Sequence, residues 1–280
     1  MAIEIKGLTK HYGNVQALRG IDLTLEPGKI YGLLGRNGAG KTTMLNILTG
    51  RQFATAGTVS MDGAPIAEND EALRQIYMLS EATYYPESMK VREAIKWSAA
   101  FYPDFDSSYA DELTGRFGLN VNSRVSALST GYNTIFKLIV ALACGAPYLF
   151  LDEPVLGLDA NHRDLFYKSL IQRYSDKPCC VVLSTHLVEE VSTLVEDVVI
   201  IHQGSILKHQ TREELLAQGY TVTGSAAKVD AYAAGKNVIG TDAIGGLKTV
   251  YILGQRGEGA EGLEFTGLDL QRLFVQLTND

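Results

Sequence analysis

Short runs of alternating apolar and polar residues open the chain. Ile3-Glu4-Ile5 and Ile21-Asp22-Leu23-Thr24-Leu25 predict small antiparallel strands, and Pro27-Gly28 predicts the turn that leaves them. The next apolar run, Ile30-Tyr31-Gly32-Leu33-Leu34, has no polar alternation and reads as a buried strand, after which Thr43 to Leu48 reads as the first turns of a helix. Gln75 to Leu79 predicts a second buried strand, followed by the irregular Ser80-Glu81-Ala82-Thr83-Tyr84-Tyr85-Pro86. Helical periodicity then dominates to about Gly145, with helices expected over Val91 to Phe101 and Tyr109 to Phe117. Two more buried strands, Tyr148 to Leu151 and Cys180 to Leu183, flank a helical stretch from Asn161 to Tyr174, and Asp197 to Ile201 precedes a Gln203-Gly204 turn. Strands that alternate with helices imply an α/β fold with a mainly parallel sheet. Beyond Gly204 the pattern loosens into short strands and two helices, with Arg256 to Gly262 expected as an exposed loop. A boundary near Thr211 to Gly219 divides the chain into residues 1–210, with a helical insert over about 80–145, and a small α+β accessory domain over 211–280.

A chain of 280 residues suits one substantial core and a second, smaller unit. No apolar stretch reaches the roughly 18 residues needed to cross a bilayer, and Met1 to Lys6 lacks the features of a signal peptide, so a cytoplasmic address is expected. Cys144, Cys179 and Cys180 lie in apolar runs without metal-ligand spacing and read as small buried thiols. A formal charge of −7 disfavours extended nucleic-acid binding, which depends on clustered Lys and Arg.

The chemistry concentrates after the first buried strand. Gly35-Arg36-Asn37-Gly38-Ala39-Gly40-Lys41-Thr42 fits the pattern G-x-x-x-x-G-K-[ST] and lies between a strand and a helix, the context of a phosphate-loop NTPase core. Such a loop binds ATP: Gly35, Asn37, Gly38, Ala39, Gly40 and Thr43 cradle the phosphates, Lys41 reaches the β- and γ-phosphates, and the Thr42 hydroxyl ligates Mg2+. Leu149-Phe150-Leu151-Asp152-Glu153-Pro154 is a buried strand ending in two acids. Neighbouring strand residues point to opposite sides, which assigns Asp152 to the metal shell and Glu153 to the attacking water.

The segments Leu128-Ser129-Thr130-Gly131-Tyr132, Asp152-Glu153-Pro154, Gly157-Leu158-Asp159 and Ser184-Thr185-His186 follow in the order and spacing of ATP-binding cassette (ABC) ATPases, and residues 1 to about 205 resemble that family. The resemblance implies an ATP-hydrolysing transporter subunit, peripheral on the inner face of the membrane. Two copies would meet head to tail on a separate integral membrane partner. It implies that Tyr12 stacks on adenine, that Ser129 and Gly131 meet the γ-phosphate held by the opposite copy, that Asp159 lies at the dimer seam, and that His186 contacts the γ-phosphate. The tail from about Gly219, with Leu270, Leu273, Phe274 and Leu277 on one helical stripe suited to docking, resembles the bacitracin and multidrug efflux group and implies export. Three departures stand out: Glu81 where relatives have a glutamine that serves metal or water, Thr130 and Tyr132 within the signature, and Ile135 and Lys137 where Arg and Ala are frequent, expected to alter contacts across the seam. Trp97 and Phe101, four apart on a helix, read as core or interface, while Tyr84-Tyr85-Pro86 suits either packing or contact with the membrane partner. Two other functions remain compatible with the motifs: an ABC ATPase acting on nucleic acid or ribosomes, and a regulatory ATP sensor.

Overall fold

The computed structural model describes residues 2–257 and 261–279. Its elements run β1 (Ile3–Tyr12), β2 (Val15–Leu25), β3 (Ile30–Leu34), α1 (Lys41–Leu48), β4 (Ala56–Met61), β5 (Ala64–Pro65), α2 (Asp70–Leu73), β6 (Ile76–Leu79), α3 (Val91–Phe101), α4 (Ser107–Arg116), α5 (Thr130–Ala143), β7 (Tyr148–Asp152) and α6 (Ala160–Asp176). They continue with β8 (Cys180–Thr185), α7 (Val188–Val191), β9 (Asp197–His202), β10 (Ser205–Thr211), α8 (Arg212–Leu216), β11 (Gly219–Ser225), α9 (Ala226–Ala233), β12 (Asn237–Ile244), β13 (Leu247–Leu253), β14 (Leu263–Gly267) and α10 (Leu270–Thr278).

The central sheet has the order β10-β9-β3-β8-β7-β6, parallel throughout except for the antiparallel edge strand β10. Strands buried on both faces need no polar alternation, which is why β3, β7 and β8 read as continuous apolar runs. Alternate residues still divide between two cores. Leu149, Leu151, Val181 and Leu183 pack beneath α5 and α6 with Phe136, Ile139 and Phe166. Tyr148, Phe150, Cys180 and Val182 face α1 and the antiparallel sheet β2-β1-β4-β5, meeting Met44, Leu48, Ile3 and Leu18. Burying each of these large side chains contributes about 1.5–3 kcal/mol, and the two cores hold the C-terminal ends of β3, β7 and β8 in a fixed plane.

The helical insert is α3, α4 and α5. Asp106 caps α4 by accepting from the Tyr109 N–H at 2.9 Å, and Ser129 caps α5 by accepting from Tyr132 N–H at 3.3 Å. From Gly219 the chain forms a separate antiparallel sheet, β12-β13-β11-β14, with α9 against it and a small core of Tyr220, Val222, Val229, Val250 and Ile252. Leu270, Leu273 and Phe274 of α10 do not join that core. They are buried in the main one, where Leu277 also packs. The end of α10 comes back to the phosphate loop, where the Arg36 guanidinium donates to the Thr278 carbonyl at 3.3 Å.

Of the loop expected over Arg256 to Gly262, residues 258–260 lie outside the described residues. Trp97 and Phe101 do not enter the core: they are 54% and 65% exposed on α3, because the buried face of that helix is taken by Val91, Ala94, Ile95 and Ser98. Ile135 and Lys137 are buried on α5 within this chain, Ile135 in the main core and Lys137 against the loop after β6. Among the described residues no helix is long and apolar enough to cross a membrane.

Candidate functional site

The loop from Gly35 to Gly40 closes around its own backbone. Gly40 has φ +109°, and a Cβ there would stand 2.7 Å from the Ala17 carbonyl oxygen, so only glycine fits. Intrahelical bonding starts with Met44 N–H donating to Gly40 O at 2.9 Å, which leaves the N–H groups of Lys41, Thr42 and Thr43 as the orphan donors of the helix start. With the positive end of α1 they form an anion site. Lys41 is 6% exposed and donates to Gly35 O at 2.6 Å. Burial pushes its pKa down, and Glu153 and Asp152 act against that shift.

Two strand ends supply the rest. Asp152, 7% exposed at the end of β7, accepts from Thr42 Oγ1 and from Ser184 Oγ, both at 2.6 Å. Glu153 leaves the strand in the left-handed region, with φ +47°. The two acids are therefore separated by a backbone turn and not by strand alternation alone, a correction to the sequence reading. The Glu153 N–H donates to Ser184 O at 2.8 Å; its Oε2 accepts from Thr185 Oγ1 at 3.2 Å, and its Oε1 lies 3.0 Å from His186 Nδ1 and 3.8 Å from Lys41 Nζ. Left-handed geometry at a non-glycine residue costs of order 1–3 kcal/mol, and the Glu153 bonds to Ser184 and Thr185 hold it in place.

A cavity of about 580 Å³ opens over this cluster, lined by Thr42, Glu81, Asp152 and Glu153 on one side and by Leu128, Thr130 and Asn133 of the signature region on the other. The structure thus brings Lys41, Thr42, Asp152, Glu153 and His186 together, with Glu81 at the cavity edge. Lys41 and His186 stand behind Glu153 without lining the cavity, and Ser129, Gly131, Tyr12 and Asp159 do not line it either. The signature is held by contact with its neighbour: a Cβ on Gly131 would meet Gly157 O at 2.8 Å. Asp159 caps α6, accepting from His162 N–H at 2.9 Å, and its carboxylate pKa is held below the usual range chiefly by that backbone donor. Tyr12 lies at the β1 end, bonded through its hydroxyl to Gln52, with Lys10 Nζ 5.1 Å from its ring centroid.

Ser184 and Thr185 were not foreseen as partners of the two acids. Their signal was a pair of hydroxyl residues closing an apolar strand before a histidine. Among the described residues no group of three or more His, Cys, Asp or Glu is arranged to hold a metal by itself. Thr42 and Asp152 offer hard oxygen donors converging at 2.6 Å, a set that suits Mg2+ completed by phosphate oxygens and water.

On the other side of the loop around Glu81 lies a groove of about 650 Å³, whose lining includes Tyr84, Tyr85, Trp97, Phe101 and Tyr102. Tyr84 is 67% exposed there, whereas Tyr85 packs edge-on against Phe136 at 5.0 Å.

A family model described as "ABC transporter" matches residues 18–156. The chain is 31% identical over 206 residues to the aliphatic sulfonates import ATP-binding protein SsuB 2 of Xanthomonas axonopodis pv. citri, a match covering 74% of this chain and 69% of that protein. It is 30% identical over 209 residues to the bacitracin transport ATP-binding protein BcrA of Bacillus licheniformis, covering 74% and 68%. The dimeric post-hydrolysis structure of the ATP-binding cassette MJ0796 with ADP and Pi superimposes with a TM-score of 0.66 at 21% identity, covering 75% of this chain and 98% of that one, and shows the same fold.

Proposed function

The chain belongs to the family of ABC transporter ATP-binding subunits, whose members hydrolyse ATP, and on that premise we propose that two copies of it power export through a separate membrane-spanning partner. One observation carries the reading: Lys41, Thr42, Asp152, Glu153 and His186 converge from two strand ends and one helix start, and Thr42, Asp152 and Glu153 of this cluster line one cavity.

In the mechanism, Lys41 gives up its bond to Gly35 O and donates to the β- and γ-phosphates, while the α1 N–H groups of Lys41, Thr42 and Thr43 hold the β-phosphate. Thr42 and Asp152 would hold Mg2+, with Glu81 beside them. When bound, that ion neutralises charge on the transferring phosphoryl group. Glu153 accepts a proton from the attacking water. His186, engaged through Nδ1 by Glu153, keeps Nε2 for the γ-phosphate. Ser129 and Gly131 close the opposite copy's site with the N-terminus of α5, Asp159 lies at the seam, and Tyr12 stacks on adenine. The groove beside Tyr84 and Trp97 receives the membrane partner, which places the chain on the inner face of the membrane. Residues 1–210 form the cassette and 211–280 the accessory domain. Export rests on the likeness of that C-terminal unit to the bacitracin group, since relatives named for import match at the same level.

Affinity purification of the chain from native membranes tests this. Recovery of a multi-span membrane protein in the same complex is expected. Recovery of DNA or ribosomes, with salt-sensitive binding, overturns it. Loss of the system should raise cellular accumulation of the transported compound; lowered uptake would reverse the assigned direction.

A further inference from the structure

One buried charge takes no part in the mechanism just described. Lys137, 8% exposed on α5, points its ammonium at the loop that follows β6, where Nζ donates to Ser80 O and to Glu81 O, each at 2.8 Å. Two of its three N–H donors are thereby spent on consecutive carbonyls. Asn133, Phe136 and Lys137 share one face of α5 at i, i+3 and i+4 spacing, and all three grip the same loop. Asn133 Oδ1 accepts from Thr83 Oγ1 at 3.1 Å, Phe136 packs against Tyr85, and Lys137 holds the two carbonyls.

From the sheet side Arg51 holds the other end of the segment. Its guanidinium donates to Met78 O at 3.2 Å and Ser80 Oγ at 3.1 Å, and it stacks over the Tyr84 ring at 4.7 Å. Lys137 lines both the nucleotide-side cavity and the partner-side groove. A buried ammonium is costly unless it is fully bonded or faces a counter-charge. Burial lowers its pKa, and the Glu81 carboxylate works in the opposite sense.

We propose that Lys137 is a positioning residue for ATP hydrolysis: by clamping the Ser80 and Glu81 carbonyls to the signature helix, it sets where the Glu81 carboxylate stands at the edge of the nucleotide cavity. The proposal rests on the reading that Glu81 serves the metal or the water. It explains how an acid is accommodated where a neutral glutamine is usual in the family, since the Lys137 charge faces it across the cavity wall. It also makes the Glu81 loop and the Ser129 helix move together, because three side chains of one helix face must break contact for them to separate.

The test is steady-state ATPase of the full chain over a Mg2+ titration, with the variants Lys137→Met, Lys137→Arg, Glu81→Gln and the double variant Lys137→Met/Glu81→Gln. Methionine approximates the apolar stem of the side chain without its donors. We expect Lys137→Met to lower kcat about tenfold and raise the half-saturating Mg2+ concentration several-fold, with KM for ATP within about twofold at saturating Mg2+. Lys137→Arg should recover to within about threefold of the parent, and the double variant should be no slower than Glu81→Gln alone, because a residue acting through Glu81 has nothing left to position. A Lys137→Met protein with the parent's kcat and Mg2+ response overturns the proposal, as does a double variant whose losses multiply. Glu81→Gln with the parent's rate and Mg2+ response overturns the role of Glu81 itself, a pattern distinct from either. Should Lys137→Met not fold, Lys137→Gln, which keeps polar donors on a shorter, uncharged side chain, replaces it in the same cycle.

Discussion

Replacing Glu153 by Gln separates proton transfer from nucleotide binding more cleanly than any other single change. The carboxamide has the shape of the carboxylate and keeps partners for both ends: His186 Nδ1 at 3.0 Å and Thr185 Oγ1 at 3.2 Å. The left-handed backbone is held by the Glu153 N–H bond to Ser184 O, which the substitution leaves alone. What disappears is one negative charge 3.8 Å from Lys41 Nζ, and with it the acceptor for the water's proton. Losing a positioned general base costs about 10²–10⁴ in rate, or about 2.7–5.4 kcal/mol in barrier height. The charge term acts in the opposite direction on binding. Glu153 repels an incoming γ-phosphate and competes with it for Lys41, so its neutralisation should tighten ATP several-fold. Phosphate release at saturating Mg2+ and ATP, paired with equilibrium ATP binding, reads the two quantities separately. A kcat within tenfold of the parent, or an affinity that falls along with the rate, would refute the reasoning.

Four further outcomes follow from the same geometry. Lys41→Ala removes the buried ammonium beside Glu153 and should weaken ATP binding at least tenfold, measured by equilibrium titration; unchanged affinity would remove Lys41 from the phosphate site. Gly131→Ala brings a Cβ to 2.8 Å from the Gly157 carbonyl, so α5 must shift at its start, and ATPase should fall at least tenfold while urea stability changes by only about 1–2 kcal/mol. Arg173→Met strips donors from Leu142 O at 2.8 Å, Cys179 Sγ at 2.8 Å and Ala146 O at 3.3 Å, and should cost about 2–4 kcal/mol in urea unfolding without altering the ATP affinity of the folded protein. Burial pushes the Cys144 thiol up to about 11, whereas the unfolded thiol ionises near its ordinary value, so this contribution to stability is intact below about pH 8.5 and is lost as pH rises toward 11; a Cys144→Ala protein should show a shallower fall in urea midpoint over that range.

The buried parallel strands were legible because strands covered on both faces keep only apolar residues. The run Ile30-Tyr31-Gly32-Leu33-Leu34 coincides with β3, and the helix expected over Val91 to Phe101 coincides with α3. Among the strands that escaped, β4 is half-exposed and polar: Ala-Gly-Thr-Val-Ser-Met carries too little alternation to announce itself, and antiparallel pairing to β1 decides it. The same reason explains Trp97 and Phe101. Their spacing on a helix says that they share a face, but not which face the core takes.

At the site, residue identities were legible and partnerships were not. The phosphate-loop lysine and the two strand-end acids could be read from spacing, because the motif carries its own local backbone. The hydroxyls of Ser184 and Thr185 on Asp152 and Glu153, 32 residues away in each case, depend on the parallel register that sets Asp152 beside Ser184. Lys137 on the Glu81 loop depends likewise on how α5 crosses the edge of the sheet, which no local pattern records.

The central claim is that each hydrolytic site is completed by a second copy, with Lys41 from one and Ser129 from the other. Mixing two separately purified, inactive variants, Lys41→Ala and Ser129→Arg, tests it most directly, because only a mixed dimer contains one site with both elements intact. If the copies exchange freely and the sites act independently, mixing should restore about a quarter of the parent ATPase, since half the dimers are mixed and each has one working site of two. A mixture that stays inactive while both proteins still bind each other, or a Ser129→Arg protein that hydrolyses ATP at the parent rate by itself, would contradict it.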